Sequence, residues 1–155
     1  MSDEVFLRIA KWLDHRDVKY QVLRHAAVYT SAEAAAVRGT PLASGAKALI
    51  CKANDQFLMF VLPADRKLAS KAVRTSRGWK SFRFASAEEV LELTSLTAGS
   101  IPPFGSLFGL ATHCDRRLGD HASINFNAGD HSISICMLYD DYLAVELPEM
   151  GEFAE

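Results

Sequence analysis

The stretch Ala46-Lys47-Ala48-Leu49-Ile50-Cys51-Lys52-Ala53, followed closely by Phe57-Leu58-Met59-Phe60-Val61-Leu62, decides the fold class. Both runs are apolar and of strand length, and Asn54-Asp55 between them are turn formers, so the pair reads as a β-hairpin. Toward the N-terminus, Val5, Ile9, Trp12 and Leu13 recur at i, i+4, i+7 and i+8, the pattern of an amphipathic helix with one face inward. Tyr20-Gln21-Val22-Leu23 reads as a short strand. Thr30-Ser31-Ala32-Glu33 fits a capping box, and the alanine-rich helix it opens stops at Gly39. Toward the C-terminus, Asp65 is expected to cap a helix reaching about Arg74 and closed by Ser76-Arg77-Gly78. Lys80 to Phe84 alternates as a strand, and Ser86-Ala87-Glu88-Glu89 is a second capping box. Ala98 to Gly105 is too rich in glycine and proline for either regular element. Ile124 to Asn127 and Ser132 to Leu138 read as strands joined around Gly129, Asp140 to Glu146 as a last helix, and Glu149 to Glu155 as a frayed tail. Helices and strands alternate irregularly around two hairpins, which points to the α+β class.

The chain has 155 residues, the size of one domain, and residues 1–155 are read as a single one. A chain this long can bury a core without disulfide or metal staples. Its 49% apolar and 23% charged residues argue against disorder, collagen and coiled coil. The longest strongly apolar run, Phe57 to Leu62, is six residues, far below the ~20 of a membrane helix. Met1-Ser2-Asp3-Glu4 is acidic and no signal-peptide apolar region follows, and the three cysteines are odd in number and irregularly spaced. A reduced, cytoplasmic protein is the expectation. The net charge of −2 hides an asymmetry: residues 1–84 carry 15 Lys/Arg against 7 Asp/Glu, and residues 85–155 carry 2 against 12. Such a division can build one basic face on a nearly neutral protein, or it can merely solvate separate surfaces.

Several apparent motifs fail on chemistry. Gly39 to Lys47 resembles a phosphate-binding loop, but five residues separate Gly39 from Gly45, and Ala46 stands where the lysine belongs. There is no G-x-S-x-G elbow. His113 and Cys114 are adjacent, and neighbours on an extended segment point to opposite sides. Cys51 and Cys136 lie in apolar strands, as core thiols do. His113, Cys114, His121 and His131 lack the short paired spacings of a structural zinc site, and no metal or other cofactor is expected.

Three features remain. Lys47 opens an apolar strand after a glycine-containing loop, from which an ammonium can project into a cleft or simply decorate the surface. The Gly99–Gly105 loop could aim backbone N–H groups at a developing oxyanion, stiffened by Pro102 and Pro103, or be an ordinary connection. Lys67, Lys71 and Arg74, at i, i+4 and i+7 on the expected Asp65-capped helix, form a basic stripe that could face phosphates or water.

At these places the chain resembles the YbaK/prolyl-tRNA-synthetase-associated family of aminoacyl-tRNA deacylases. The resemblance runs from about Ile9 to Leu147. It is carried by Ala34-Ala35-Ala36-Val37-Arg38-Gly39 followed by Ala46 to Ile50, by Pro63-Ala64-Asp65-Arg66, by Gly99-Ser100-Ile101-Pro102-Pro103-Phe104-Gly105, and by Phe126-Asn127-Ala128-Gly129. It implies a mixed, mostly antiparallel sheet curled into a partly open barrel with flanking helices. It places the functional lysine on Lys47 and the G-x-x-x-P loop on Gly99 to Pro103. Catalytic roles are thereby expected for Lys47, Gly99 and Ser100, and substrate contacts for Ile101, Pro102, Pro103, Phe104, Asn127 and His131. The turn after Phe126 differs from the glycine- and lysine-rich turn of the cysteinyl-tRNA type, which favours an Ala-, Ser- or Thr-directed editor.

The implied activity is hydrolysis, in trans, of the ester of a mischarged tRNA carrying a small amino acid. The aminoacyl-tRNA 3′ end is the expected partner, with an aminoacyl-tRNA synthetase as a second one and no membrane. A non-catalytic tRNA- or synthetase-binding module of the same fold is the alternative. An esterase for unrelated small esters is disfavoured by the missing nucleophile.

Overall fold

The apolar face of the first helix, α1 (Glu4–His15), is buried through Val5, Phe6, Ile9 and Leu13. The structure is a computed structural model that describes residues 3–155. After α1 come β1 (Tyr20–Arg24), α2 (Ser31–Arg38), β2 (Ala46–Ala53), β3 (Gln56–Pro63), α3 (Ser70–Arg77) and β4 (Phe82–Phe84). They are followed by α4 (Ala87–Thr94), β5 (Ala111–Asp115), β6 (Ser123–Asn127), β7 (Ile133–Leu138), α5 (Tyr139–Glu146) and β8 (Glu149–Gly151). Both capping boxes form. Thr30 Oγ1 accepts from Glu33 N and Ser86 Oγ from Glu89 N, while each glutamate reaches back to its cap's backbone N–H.

The strands make a mixed α+β architecture of two sheets. One is antiparallel, in the order β1-β7-β6; the other runs β4-β2-β3-β5-β8, antiparallel on the β2 side and parallel at β3–β5 and β5–β8. Neither sheet closes on itself among the described residues, and a parallel bridge between Gly45 and Asn125 joins them. Because strand side chains alternate in direction, β3 feeds two cores. Met59 and Val61 pack with Ile124, Phe126, Ile135 and Phe104, while Leu58, Phe60 and Leu62 pack with Leu68, Val73 and Phe153. Each such large side chain contributes about 1.5–3 kcal/mol on leaving water.

Two expectations are corrected and one strand is added. The tail is not frayed: β8 pairs with β5, Phe153 and Ala154 are buried, and the fully buried Asp115 Oδ2 accepts both of their N–H groups at 2.7 Å. The helix after β3 starts at Ser70 rather than at Asp65. Residues 67–69 are held extended against the tail, with Glu155 N donating to Lys67 O at 2.8 Å and Ala69 N to Phe153 O at 2.8 Å. Lys67 therefore precedes α3 and shares no helical stripe with Lys71 and Arg74. The added strand is Ala111–Asp115, which has no apolar run to mark it and pairs in parallel with both β3 and β8.

Candidate active site

The hairpin register sets the site. Lys47, Leu49 and Cys51 bond toward β3, so Ala48 and Ile50 turn their amides to the other edge of β2. There Ile50 O accepts from Ala85 N at 2.9 Å, and β4 pairs only from Cys51 onward. The Lys47–Leu49 length of that edge therefore borders open space, a cavity of about 330 Å³ walled also by Arg38, Gly99, Ile101 and Asn127. Lys47 is half-buried and its ammonium donates to the carbonyl oxygen of Arg66. Burial pushes its pKa down, the Asp65 carboxylate pulls it back up, and Lys67 adds to the lowering.

Gly99 enters the cavity wall with φ +92, a conformation that needs glycine. A Cβ there would also lie 3.4 Å from His131 Cε1. The Gly99 carbonyl accepts from Asn127 Nδ2 at 2.6 Å, and its N–H has no partner among the described residues. Ser100 is buried beside it, with N–H and hydroxyl both donating to Thr97 O (3.2 and 2.8 Å) and its carbonyl accepting from Gly129 N at 2.8 Å. Gly129 has φ +86, and a Cβ on it would meet Val5 Cβ at 2.6 Å, so α1 locks the turn that holds the loop.

The cavity thus brings together Lys47, Gly99, Ile101 and Asn127 of the expected site. Pro102, Pro103 and Phe104 lie behind it in the core; Tyr142 Oη donates to Pro103 O at 2.6 Å and Phe104 packs edge-on to Trp12, Phe126 and Tyr142. His131 buttresses the loop from outside the wall. Its Nδ1 donates to Val28 O at 3.1 Å, Nε2 meets Thr97 Oγ1 at 3.0 Å, and the ring lies 4.6 Å from that of Tyr29. Lys67, Lys71 and Arg74 do not line the cavity. The thiols of Cys51 and Cys114 are buried, and burial pushes both up to about 12, far from a nucleophilic thiolate at neutral pH. His113 and Cys114 face different cores, His113 against Phe60 and Phe153. Sequence reading gave no role to Arg38, whose guanidinium lines the cavity and bonds Asn127. Its position in the last turn before the Gly39 cap was the available signal.

A family model described as "Aminoacyl-tRNA editing domain" matches residues 25–145. The chain belongs to that family. The editing domain is 32% identical, over 151 residues covering 94% of it and 90% of the relative, to "Multifunctional Ser/Thr-tRNA deacylase ProXp-y" of Escherichia coli. It is also 32% identical over 79 residues, 51% of its length, to 14% of "Proline--tRNA ligase" of Thermosipho africanus. Its fold is that of a crystal structure of a candidate trans-editing enzyme for prolyl-tRNA synthetase. The two superpose with a TM-score of 0.86 at 23% identity, over 100% of this chain and 99% of that one. As a member of the family, the domain is a hydrolase acting on the ester of aminoacyl-tRNA.

Proposed function

We propose that the protein removes a small, wrongly attached amino acid from tRNA in trans, with serine, threonine and alanine as its substrates. The observation that carries this reading is the convergence of Lys47 and Gly99 on one small cavity. A cavity of about 330 Å³ is at the low end for ligand sites and must admit part of the terminal ribose as well, which leaves space for a short side chain. The Ser/Thr-tRNA deacylase that shares 32% of its residues supports the same substrate class.

An aminoacyl ester is already activated, so orientation and charge stabilisation matter more than a strong nucleophile. Water adds to the ester carbonyl. The Lys47 ammonium and the free Gly99 N–H stabilise the oxyanion, and collapse expels the ribose 3′ oxygen, which takes the proton given up by the water. The terminal ribose 2′-hydroxyl can relay that proton. Asn127 holds Gly99 in place through its carbonyl. We further read residues 1–155 as one domain of a cytoplasmic protein, with the two bridged sheets as halves of a partly open barrel. The match to a proline–tRNA ligase supports a synthetase as its companion.

A panel of mischarged tRNAs tests this. Ser-, Thr- and Ala-tRNA should be hydrolysed with overlapping efficiencies, because a pocket separates neighbours differing by one methylene by only about 1–3 kcal/mol. Hydrolysis of Phe- or Tyr-tRNA with none of Ala-, Ser- or Thr-tRNA would overturn it.

A further inference from the structure

Arg38 sits in the wall shared by the cavity and an adjoining groove over β1 and β7. Its Nε donates to Ser134 Oγ at 2.8 Å and its Nη2 to Asn127 Oδ1 at 3.0 Å. Both partners are neutral. Ser134 Oγ in turn lies 2.8 Å from His25 Nε2; because His25 Nδ1 donates to Ala26 O at 2.8 Å, Nε2 is free to accept the serine proton. The guanidinium makes no ion pair among the described residues, and Nη1 has no hydrogen-bond partner among them. The lining of the cavity holds two cations, Arg38 and Lys47, and no Asp or Glu. Desolvation pushes the Arg38 pKa down to about 10, the mark of a charge removed from water without a counter-ion.

Neutral partners fix this side chain without neutralising it, so the charge is left for a ligand. The α-amino group is not that ligand, since two cations repel its ammonium form, and the oxyanion of the reacting ester is already served by Lys47 and Gly99. The nearest anion on the substrate is the phosphodiester on the 5′ side of the terminal adenosine. A guanidinium suits phosphate oxygens by its planar array of donors. We propose that Arg38 is a phosphate seat: its free Nη1 edge takes the phosphate of the 3′-terminal nucleotide at the junction of groove and cavity while the ester enters the cavity. This assignment rests on the deacylase reading for its substrate, but the seat itself is testable without any turnover.

The probes are 5′-AMP and adenosine, titrated into the wild-type protein, Arg38→Gln and Arg38→Lys. Wild type should bind 5′-AMP about tenfold or more tightly than adenosine, as expected of a charged hydrogen bond. Arg38→Gln should abolish the difference and Arg38→Lys should keep part of it. Equal affinity of wild type for the two probes would overturn the seat, even if Arg38→Gln failed to fold. The matching kinetic comparison uses 3′-O-seryl-adenosine and its 5′-phosphate. The ratio of their kcat/KM values, above one in wild type, should fall toward one in Arg38→Gln. A ratio preserved while both rates fall would overturn the proposal and make Arg38 a positioning residue acting through Asn127 and Gly99. If wild type preferred 5′-AMP yet cleaved neither ester, the deacylase reading would fail and the seat would stand.

Discussion

Lys47 reaches the cavity half-desolvated, and its ammonium holds the carbonyl of Arg66 in the turn after β3. That anchorage gives a long flexible side chain one position, the condition for a fixed charge to act on a developing oxyanion. Lys47→Ala should lower the deacylation rate by about 10²–10³-fold, as removal of one oxyanion donor does. Lys47→Arg should not restore it, since a planar guanidinium does not replace a compact ammonium. The pH dependence carries its own signature. The folded pKa lies below the ordinary lysine value, so enzyme-dependent turnover should decline as pH rises through that lowered value. Between the lowered pKa and the unfolded one, the unfolded chain binds more protons, so Lys47 makes stability rise with pH in the window where activity falls. Parallel rate and melting profiles of wild type and Lys47→Ala check this. A Lys47→Ala protein that melts normally and deacylates at the wild-type rate removes Lys47 from the chemistry.

At the scale of elements, the last seven residues behave as part of the fold because of one carboxylate. Asp115 accepts Phe153 N and Ala154 N through Oδ2 and Arg117 N through Oδ1 at 2.9 Å, with no exposure to solvent. Asp115→Ala leaves those amides without a partner, a loss of about 1–3 kcal/mol. For a domain of this size that lowers the Tm by roughly 2–12 °C. Thermal melting of Asp115→Ala, with hydrogen exchange at Phe153 and Ala154, measures it; unchanged melting and protection would leave the tail held by Phe153 packing alone. The same contact explains what the sequence concealed. Thr30, Glu33, Ser86 and Glu89 announce their helices because a capping box is local, and the β2–β3 hairpin is announced by its own turn. The docking of Glu149–Glu155 depends on a partner 38 residues away, and that docking also delays α3 to Ser70. β5, with Thr112, His113 and Asp115 buried in five residues, lacks the apolar run that marks a strand. In the site, chain position and loop composition singled out Lys47 and Gly99, which share the cavity wall, but only the family resemblance gave them roles. Arg38 was not singled out, because its significance lies in neutral partners, Ser134 and Asn127, about 90 residues further along the chain.

Across the whole molecule, the positive half of the sequence places several cations near Lys47. Arg66 carries the carbonyl that anchors Lys47, Lys67 is close enough for its charge to be felt there, and Lys71 follows on the first turn of α3. Lys67 and Lys71 are exposed and make no ion pair among the described residues. Arg74 differs from them: its Nη2 donates to Lys80 O at 2.7 Å and its Nε to Trp79 O at 3.3 Å, tying α3 to the approach of β4. The three side chains therefore differ in what holds them: that of Arg74 is tied to the backbone, whereas those of Lys67 and Lys71 are not. Replacing Lys67 and Lys71 by Gln should weaken tRNA binding and reduce the slope of log Kobs against log salt by up to about one unit for each lost phosphate contact. The loss should be alike for unrelated tRNAs, since phosphate contacts carry no sequence information. Arg74→Gln should instead lower the Tm and leave the salt slope near wild type. Binding titrations across a salt series, with melting curves for each variant, separate the two effects. A double lysine variant with an undiminished slope would assign Lys67 and Lys71 to solvation and move the path of the tRNA elsewhere, and a reduced slope in Arg74→Gln would return that arginine to the tRNA-binding face.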